Sequence, residues 1–237
     1  MIMDIREFDP GQGRYRFTVH DIDTAYHAHP AMELVIARIG TFCVETPEMQ
    51  LDNLSICLIQ ADQPHRLSQF YGICDIWYRE RGQEVWDWAS AAHAPHTGTG
   101  VVAWTDMQVL DHLISQWEAP ATPVSETRIV KCLELIEQSY EDPATSTASL
   151  AARLGMSPGR LSHLFKTHMG TSLRRYLVWV RLRVAIRLLL IHHYSLTEAA
   201  LMAGFYDSPH FSKRFKAFLG VRPSEGYPPD SIIQASV

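Results

Sequence analysis

The chain has 237 residues, 46% of them hydrophobic and 20% charged, as in globular proteins that bury a real core in one large or two small domains. Its formal net charge of −5 argues against a nucleic-acid partner for the chain taken whole. The charge is unevenly spread, however: from Glu126 onward there are 14 Lys and Arg against 9 Asp and Glu, and before it 7 against 17, so an acidic half precedes a basic one.

The N-terminus, MIMDIREFDPGQ, has no basic region followed by an apolar one, so no signal peptide is expected. Residues 14–104 read as short strands. RYRFTVHDI, MELVIARIG, TFCVETP, LSICLIQ and VVAWTDM are rich in Val, Ile, Phe, Tyr and Thr and are bounded by Gly, Pro, Asp and Asn. Many short strands at close spacing predict a sandwich or barrel. Glu84 to Ala92 reads equally as a short helix or a loop. Of the cysteines Cys43, Cys57, Cys74 and Cys132, none forms a CxxC pair, which argues against a zinc finger; three lie in strand-like runs and are expected to be buried thiols. Trp77, Tyr78, Trp86, Trp88 and Trp104 are expected in the core or an interface, with stacking on a ligand as the alternative.

The sharpest feature of this half is His27, His29 and Glu33, followed by Gly40 and, further on, His65. On a strand, His27 and His29 share a face because side chains repeat every two residues. Three imidazoles and a carboxylate suit a divalent metal such as zinc, iron, nickel or manganese. They also suit a hydrogen-bonded network lining an effector pocket, and both readings stay open. The spacing HxHxxxEx6G resembles the first motif of the cupin barrels. The second motif is degraded, with Gln60-Ala61-Asp62-Gln63-Pro64-His65 in place of PxGxxH. The resemblance implies a cupin-like, effector-sensing barrel over residues 1–104.

From Thr105 the period changes. Leu110, Leu113, Ile114 and Trp117 form an amphipathic helical stripe, expected to pair two copies of the chain. Ala119 to Ser125 is a Pro-bearing linker, so residues 105–125 are assigned to a dimerisation helix and linker. Beyond it the chain reads as helical. Ile129, Leu133, Ile136 and Tyr140 share one face, Pro143 ends that helix, and Ser149 is expected to cap the next.

The C-terminal half then repeats itself. Gly155 is answered by Gly204, Ser157-Pro158 by Ser208-Pro209, Leu161 by Phe211, Phe165-Lys166 by Phe215-Lys216, and Gly170 by Gly220. The pattern is helix, glycine turn, helix, with Ser at N-cap and Pro at N1 of each second helix. Ser195 and Glu198 form a capping box ahead of the second copy. Gly159, Arg160, Ser162, His163 and Lys166, and Ser208, His210, Ser212, Lys213 and Lys216, fall opposite the apolar faces. Small, hydroxylic and basic side chains of this kind reach base edges and phosphates in a major groove. The competing reading is a helical bundle with basic surface helices; two copies in a locally positive half favour double-stranded DNA.

Leu173 to His192 carries no Gly or Pro and reads as one helix about 30 Å long, close to the ~34 Å rise of a DNA turn. Its Arg174, Arg175, Arg181, Arg183 and Arg187 are expected to divide between phosphate contacts and ion pairs inside the domain. The arginines also exclude a membrane span from this apolar run, so no membrane partner is expected and a bacterial cytoplasm is the expected location.

LAARLGMSPGRLSHLFKTHMG (150–170) and AGFYDSPHFSKRFKAFLGVRPSEGY (203–227) resemble the AraC/XylS family of bacterial transcription regulators over about 100 residues. The resemblance implies base reading by the helices that begin at Pro158 and Pro209. It carries that role to Gly159, Arg160, Ser162 and His163 in the first, and to Ser208, Pro209, His210, Ser212 and Lys213 in the second. Gly159 has no side chain to reach a base. Pro228 stands where the family often has Arg, so one phosphate contact is missing.

The whole reads as a multidomain α and β protein. A cupin-like barrel (1–104) is followed by a helix and linker (105–125), an all-α DNA-binding domain (126–228) with two helix-turn-helix units joined by a long helix, and a tail (229–237). The expected activity is transcription regulation, with activation favoured by the resemblance, a small-molecule effector, a homodimer, and RNA polymerase as partner of an activator. No catalysis is expected. The competing readings are a metal-dependent cupin enzyme or metal sensor fused to a DNA-binding domain, and a barrel that only dimerises.

Overall fold

The computed structural model describes residues 2–11, 13–69, 71–80, 96–98, 100–119 and 124–226. Glu84–Ala92, and with it Trp86 and Trp88, lies outside the described residues, as do Pro228 and the 229–237 tail. The chain divides into two compact units, Met1–Thr122 with Lys216–Gln234, and Pro123–Phe215 with Ala235–Val237.

The first unit is built on strands. β1 (Ile2–Asp9), β2 (Arg14–His20), β3 (Ala31–Ile39), β6 (Ile56–Ile59), β8 (Ile73–Glu80), β9 (His96–Gly98) and β10 (Val101–Trp104) form one antiparallel sheet in the order β1-β2-β8-β3-β6-β10-β9. β4 (Phe42–Glu45), β5 (Gln50–Leu54) and β7 (Arg66–Ser68) form a second in the order β5-β4-β7. β8, which no strand signal marked, is central: it pairs with β2 on one side and β3 on the other.

Alternation along the central strands produces two buried faces. Met32, Leu34 and Ile36 of β3, Ile56 and Leu58 of β6, Trp77 of β8, and Val102 and Trp104 of β10 form one cluster. The opposite parity, including Val19, Glu33, Val35, Cys57, Ile59, Cys74 and Ile76, is buried too. Burial on both sides explains the nearly continuous apolar run of β6. All four cysteines are buried free thiols.

The first face is covered by α1 (Leu110–Glu118). Leu113 and Trp117 are 2% and 1% exposed and belong to the same cluster, with Leu110 and Ile114 packed against it. The stripe expected to join two protomers is therefore consumed within the chain. The α1 C-terminus is fastened as well. The buried Arg79 donates to the carbonyl oxygens of Trp117 and, at 2.8 Å, of Ala119. A guanidinium suits the unpaired carbonyls at a helix C-terminus. The amphipathic period announced that something covers this stripe; the cover is the chain's own sheet.

The second unit is helical: α2 (Thr127–Ser139), α3 (Thr147–Arg153), α4 (Pro158–Met169), α5 (Leu173–Leu190), α6 (Leu196–Met202) and the start of α7 (Ser208–Leu219). α8 (Pro223–Gly226) follows α7. α5, about 27 Å long, is buried on every side, including Leu173, Tyr176, Leu177, Val180, Ala185 and Leu189. It is a core helix and not an exposed basic rod. Arg183, 2% exposed, pairs with Glu137 on α2. Arg181 donates to the carbonyls of Tyr140 (2.8 Å) and Asp142 (2.9 Å) at the end of α2. Arg187 is half-buried, its Nε without a hydrogen-bond partner. Arg174 is exposed, and Arg175 is half-buried like Arg181 and Arg187.

Candidate functional site

The pairs α3–α4 and α6–α7 are built alike. In each, a short helix closes on a left-handed glycine, Gly155 at φ 63° and Gly204 at φ 82°, a region a β-carbon disfavours. In each, the residue after the glycine donates back five positions: Met156 N–H to Ala151 O at 2.9 Å, Phe205 N–H to Ala200 O at 3.0 Å. The helix starts differ in detail from expectation. α3 is capped by Ser146, whose hydroxyl accepts from Ser149 N–H; Ser149 is the reciprocal partner and not the cap. Ser157 caps α4 as expected, accepting from Arg160 N–H at 3.3 Å. In α7 the capping bond comes from Asp207, whose carboxylate accepts from His210 N–H at 2.6 Å, while Ser208 is already helical. The extra residue in the second turn moved the cap by one position.

Apolar spacing then sets which face is free. α4 buries Leu161, Phe165 and Met169. This leaves Gly159, Arg160, Ser162, His163 and Lys166 exposed together. The Ser162 hydroxyl donates to Pro158 O at 2.8 Å, so its lone pairs face outward. α7 buries Phe211, Phe215 and Phe218, with Phe205 edge-on to Phe211 at 5.2 Å and Phe211 tilted against Phe215 at 5.6 Å between ring centroids. Pro209, Lys213 and Lys216 are exposed; Ser208, His210 and Ser212 are half-buried. The His210 ring packs on Phe205, and its Nε2 accepts from Arg214 Nε at 3.3 Å. Burial first, then the Arg214 charge, holds His210 below its usual pKa. A neutral ring that takes a hydrogen bond from a guanidinium was not legible from residue types alone.

A second constellation lies in the first unit. His27, His29, Glu33 and His65 are all buried, and one ligand-type atom from each lies within 4.8 Å of the others. His27 and His29 lie in the extended segment before β3 and not on a strand. A two-way backbone bridge, 2.9 Å each way, joins His27 to His65, and Glu33 reaches the cluster from β3. Each imidazole is fixed through Nδ1. His27 bonds Ala25 O at 2.9 Å, His29 bonds Ala31 O at 2.8 Å, and His65 bonds Gln63 O at 2.9 Å. A carbonyl only accepts, so all three rings carry their proton on Nδ1 and turn Nε2 inward.

There Glu33 Oε2 stands 3.1 Å from His29 Nε2, and 2.9 Å from His65 Nε2 but out of line for a hydrogen bond. Glu33 Oε1 is buried with no hydrogen-bond partner. Burial pushes the Glu33 carboxyl up, and the His29 and His65 imidazoles together outweigh it and hold it well below the usual carboxylate range. Burial, with His65 and His29 alongside, holds His27 well below its usual range. Nitrogen lone pairs and a carboxylate converging in a buried space fit a divalent cation. Bonds of about 2.0–2.1 Å place ligands on opposite sides of a metal about 4 Å apart, so donors that lie within 4.8 Å of one another would draw slightly inward on binding. Backbone carbonyls on the outer nitrogens are the orienting contacts that metal-binding histidines use.

Residues 150–226 match the family model described as a helix-turn-helix domain. The HTH-type transcriptional regulator ArgR of Pseudomonas aeruginosa is 30% identical over 101 residues, which is 43% of this chain and 30% of that protein. The arabinose operon regulatory protein of Escherichia coli strain K12 is 31% identical over 103 residues, 44% of this chain and 35% of that protein. The match thus spans about a third of the length of these curated relatives. Among solved structures, an apo variant of ToxT from Vibrio cholerae strain SCE256 superposes with a TM-score of 0.58 at 14% identity, over 93% of this chain and 98% of that one. That likeness concerns the fold, a β-rich part followed by a helical region. No helix among the described residues is long and apolar enough to cross a membrane.

Proposed function

Through its C-terminal half the chain belongs to the AraC/XylS family of regulators, and on that premise we propose that it is a sequence-specific DNA-binding transcription regulator. α3–α4 and α6–α7 are its two helix-turn-helix units, and α4 and α7 are its reading helices. The observation that carries this reading is the matched pair of free faces. Arg160, Ser162, His163 and Lys166 stand opposite a buried apolar stripe on α4, and Pro209, Lys213 and Lys216 stand opposite a phenylalanine stripe on α7. Arg160 and Lys213 supply donors for base edges. Lys166, Lys216 and the exposed Arg174 supply charge for phosphates. Ser208, His210 and Ser212, half-buried, contribute from the start of α7.

Recovery of bound duplexes from a random pool tests this reading. The expected motif is bipartite, with half-sites about one helical turn apart, and binding falls steeply with salt. A pool that never enriches would refute it.

The His27–His29–Glu33–His65 cluster is the sensing site of the first unit. The three Nδ1 anchors favour a divalent metal there over a plain hydrogen-bond network, which would leave Glu33 Oε1 buried and unpaired. The role assigned is regulatory, with activation as the direction and RNA polymerase as the partner. Since Leu113 and Trp117 are buried within one chain, a homodimer would use some surface other than this stripe. A metal-dependent cupin enzyme remains the rival reading, and turnover of a substrate by metal-loaded protein would favour it.

A further inference from the structure

The histidine cluster is tied to the residues that end the second reading helix. Lys216–Gly220 belongs to the same compact unit as the cluster, while residues 208–215 of the same helix belong to the other. Within the first unit, the Gly220 carbonyl accepts from Ala25 N–H at 2.7 Å. Gly220 is left-handed at φ 74°, and its α-carbon is pressed against the cluster. A β-carbon there would fall 2.6 Å from His27 Nδ1 and 2.6 Å from Thr24 Cβ. Ala25 is the shared part: its carbonyl takes the His27 Nδ1 bond, and its N–H gives the Gly220 bond. Val221 beyond it is buried, and α8 packs on β1. Gly170, at the matching place in the first copy, ends its helix within the other unit. The two copies therefore differ in what holds their ends.

We propose that a divalent transition-metal ion bound by His27, His29, Glu33 and His65 fixes the Thr24–His27 segment and through it the seat of Gly220, so that metal occupancy governs DNA binding through α7. The proposal rests on the DNA-binding and sensing-site readings above. The metal draws the three Nε2 atoms and the carboxylate onto one centre. Because the His27 ring is bonded through Nδ1 to the Ala25 carbonyl, ordering the ring orders residue Ala25, whose N–H on the other side of its α-carbon holds Gly220. Without the metal the cluster keeps the 3.1 Å contact between His29 Nε2 and Glu33 Oε2 but leaves Glu33 Oε1 and His65 Nε2 without partners, and the Thr24–His27 segment is then free to give up its contact with the helix end. A ligand shifts such an equilibrium only by its differential affinity for the two states, and metal bonds supply that difference.

The test uses the full chain, stripped with chelator and then loaded with Zn2+ or Co2+ alone. The expected results are one equivalent bound, a tetrahedral or higher-coordinate visible spectrum with Co2+, and slowed hydrogen exchange of the Ala25 amide and of residues 216–222. DNA affinity should change by about tenfold, within the usual 5–150-fold range of ligand coupling. Glu33→Gln should lose the metal and the protection together. Gly220→Ala, whose β-carbon would press on His27 and Thr24, should lose the added protection, and the metal-free and metal-loaded unaltered chain supplies the same comparison without any variant. No stoichiometric metal, or metal bound with identical exchange and identical DNA affinity, would overturn the proposal. Metal-dependent exchange at Ala25 without DNA binding in either state would sink the DNA reading and leave the coupling to the helix end standing.

Discussion

Gly155 and Gly204 hold the same place in the duplicated pattern and the same left-handed backbone, but only Gly204 is enclosed. A β-carbon on Gly204 would fall 2.5 Å from the Tyr140 carbonyl oxygen and 3.0 Å from Glu141 Cα; on Gly155 it would meet nothing within 4 Å. The second turn is wedged against the end of α2, and the first is open to solvent. Gly155→Ala should therefore cost only left-handed strain, about 1–2 kcal/mol. Gly204→Ala must also displace backbone, and should cost about 3 kcal/mol or more. Denaturant midpoints measure both, and equal costs would contradict the asymmetry.

Arg160→Ala and Lys213→Ala remove exposed side chains and should leave folding unchanged within about 0.5 kcal/mol. Each should weaken binding to a selected duplex by about 1–3 kcal/mol and relax preference at one base position. Fluorescence titration against the selected site and its single-base variants reads both effects. Unaltered affinity and unaltered preference would remove these residues from the interface.

Trp117→Ala should destabilise the first unit by about 3–5 kcal/mol and Leu113→Ala by about 2–5, because both are buried against the sheet. Neither is expected to change the oligomeric state of chain that remains folded. Sedimentation velocity beside thermal unfolding checks this. A shift from dimer to monomer without loss of stability would return the stripe to an interface between protomers.

His210 sits below its ordinary pKa of 6.5, through burial first and the Arg214 charge second, with Asp207 pulling the other way. A depressed histidine contributes stability while neutral. That contribution is present above the ordinary value and is lost as pH falls through the lowered one. Arg214→Ala removes the second cause and should move the His210 titration upward, toward 6.5. Imidazole resonances followed by NMR report it directly. A midpoint at or above 6.5 in the unaltered protein would contradict the assigned environment.

Much of the helical half was legible because its signals are local. Glycine turns, Ser-Pro starts, the Ser195–Glu198 box and the 3.6-residue stripes each act within a few residues. The cap of α7 was misplaced because Ser208-Pro209 copies Ser157-Pro158 in letters, while the inserted residue gives Asp207 the geometry. β8 was hidden because Asp75, Arg79 and Glu80 interrupt its apolar run. Those polar groups find distant partners: Thr18 and Arg38 for Asp75, Tyr15 for Glu80, and the end of α1 for the two terminal nitrogens of Arg79. The same non-local cause hid the fate of the α5 arginines, since a charge count cannot tell that Arg183 is buried against Glu137, 46 positions away. The metal-type cluster was legible as residue types. Its Nδ1 anchors were not, because they come from backbone carbonyls two positions off, which any sequence supplies.

Hydroxyl-radical footprinting on a selected duplex, at low and at moderate salt, tests the central claim that α4 and α7 read one DNA together. Two protected tracts on one face, centred about 10–10.5 base pairs apart, are expected, with the tract assigned to α7 fading in Lys213→Ala and the other in Arg160→Ala. A single short tract that responds to only one of the two substitutions, or no protection even in dilute buffer, would contradict it.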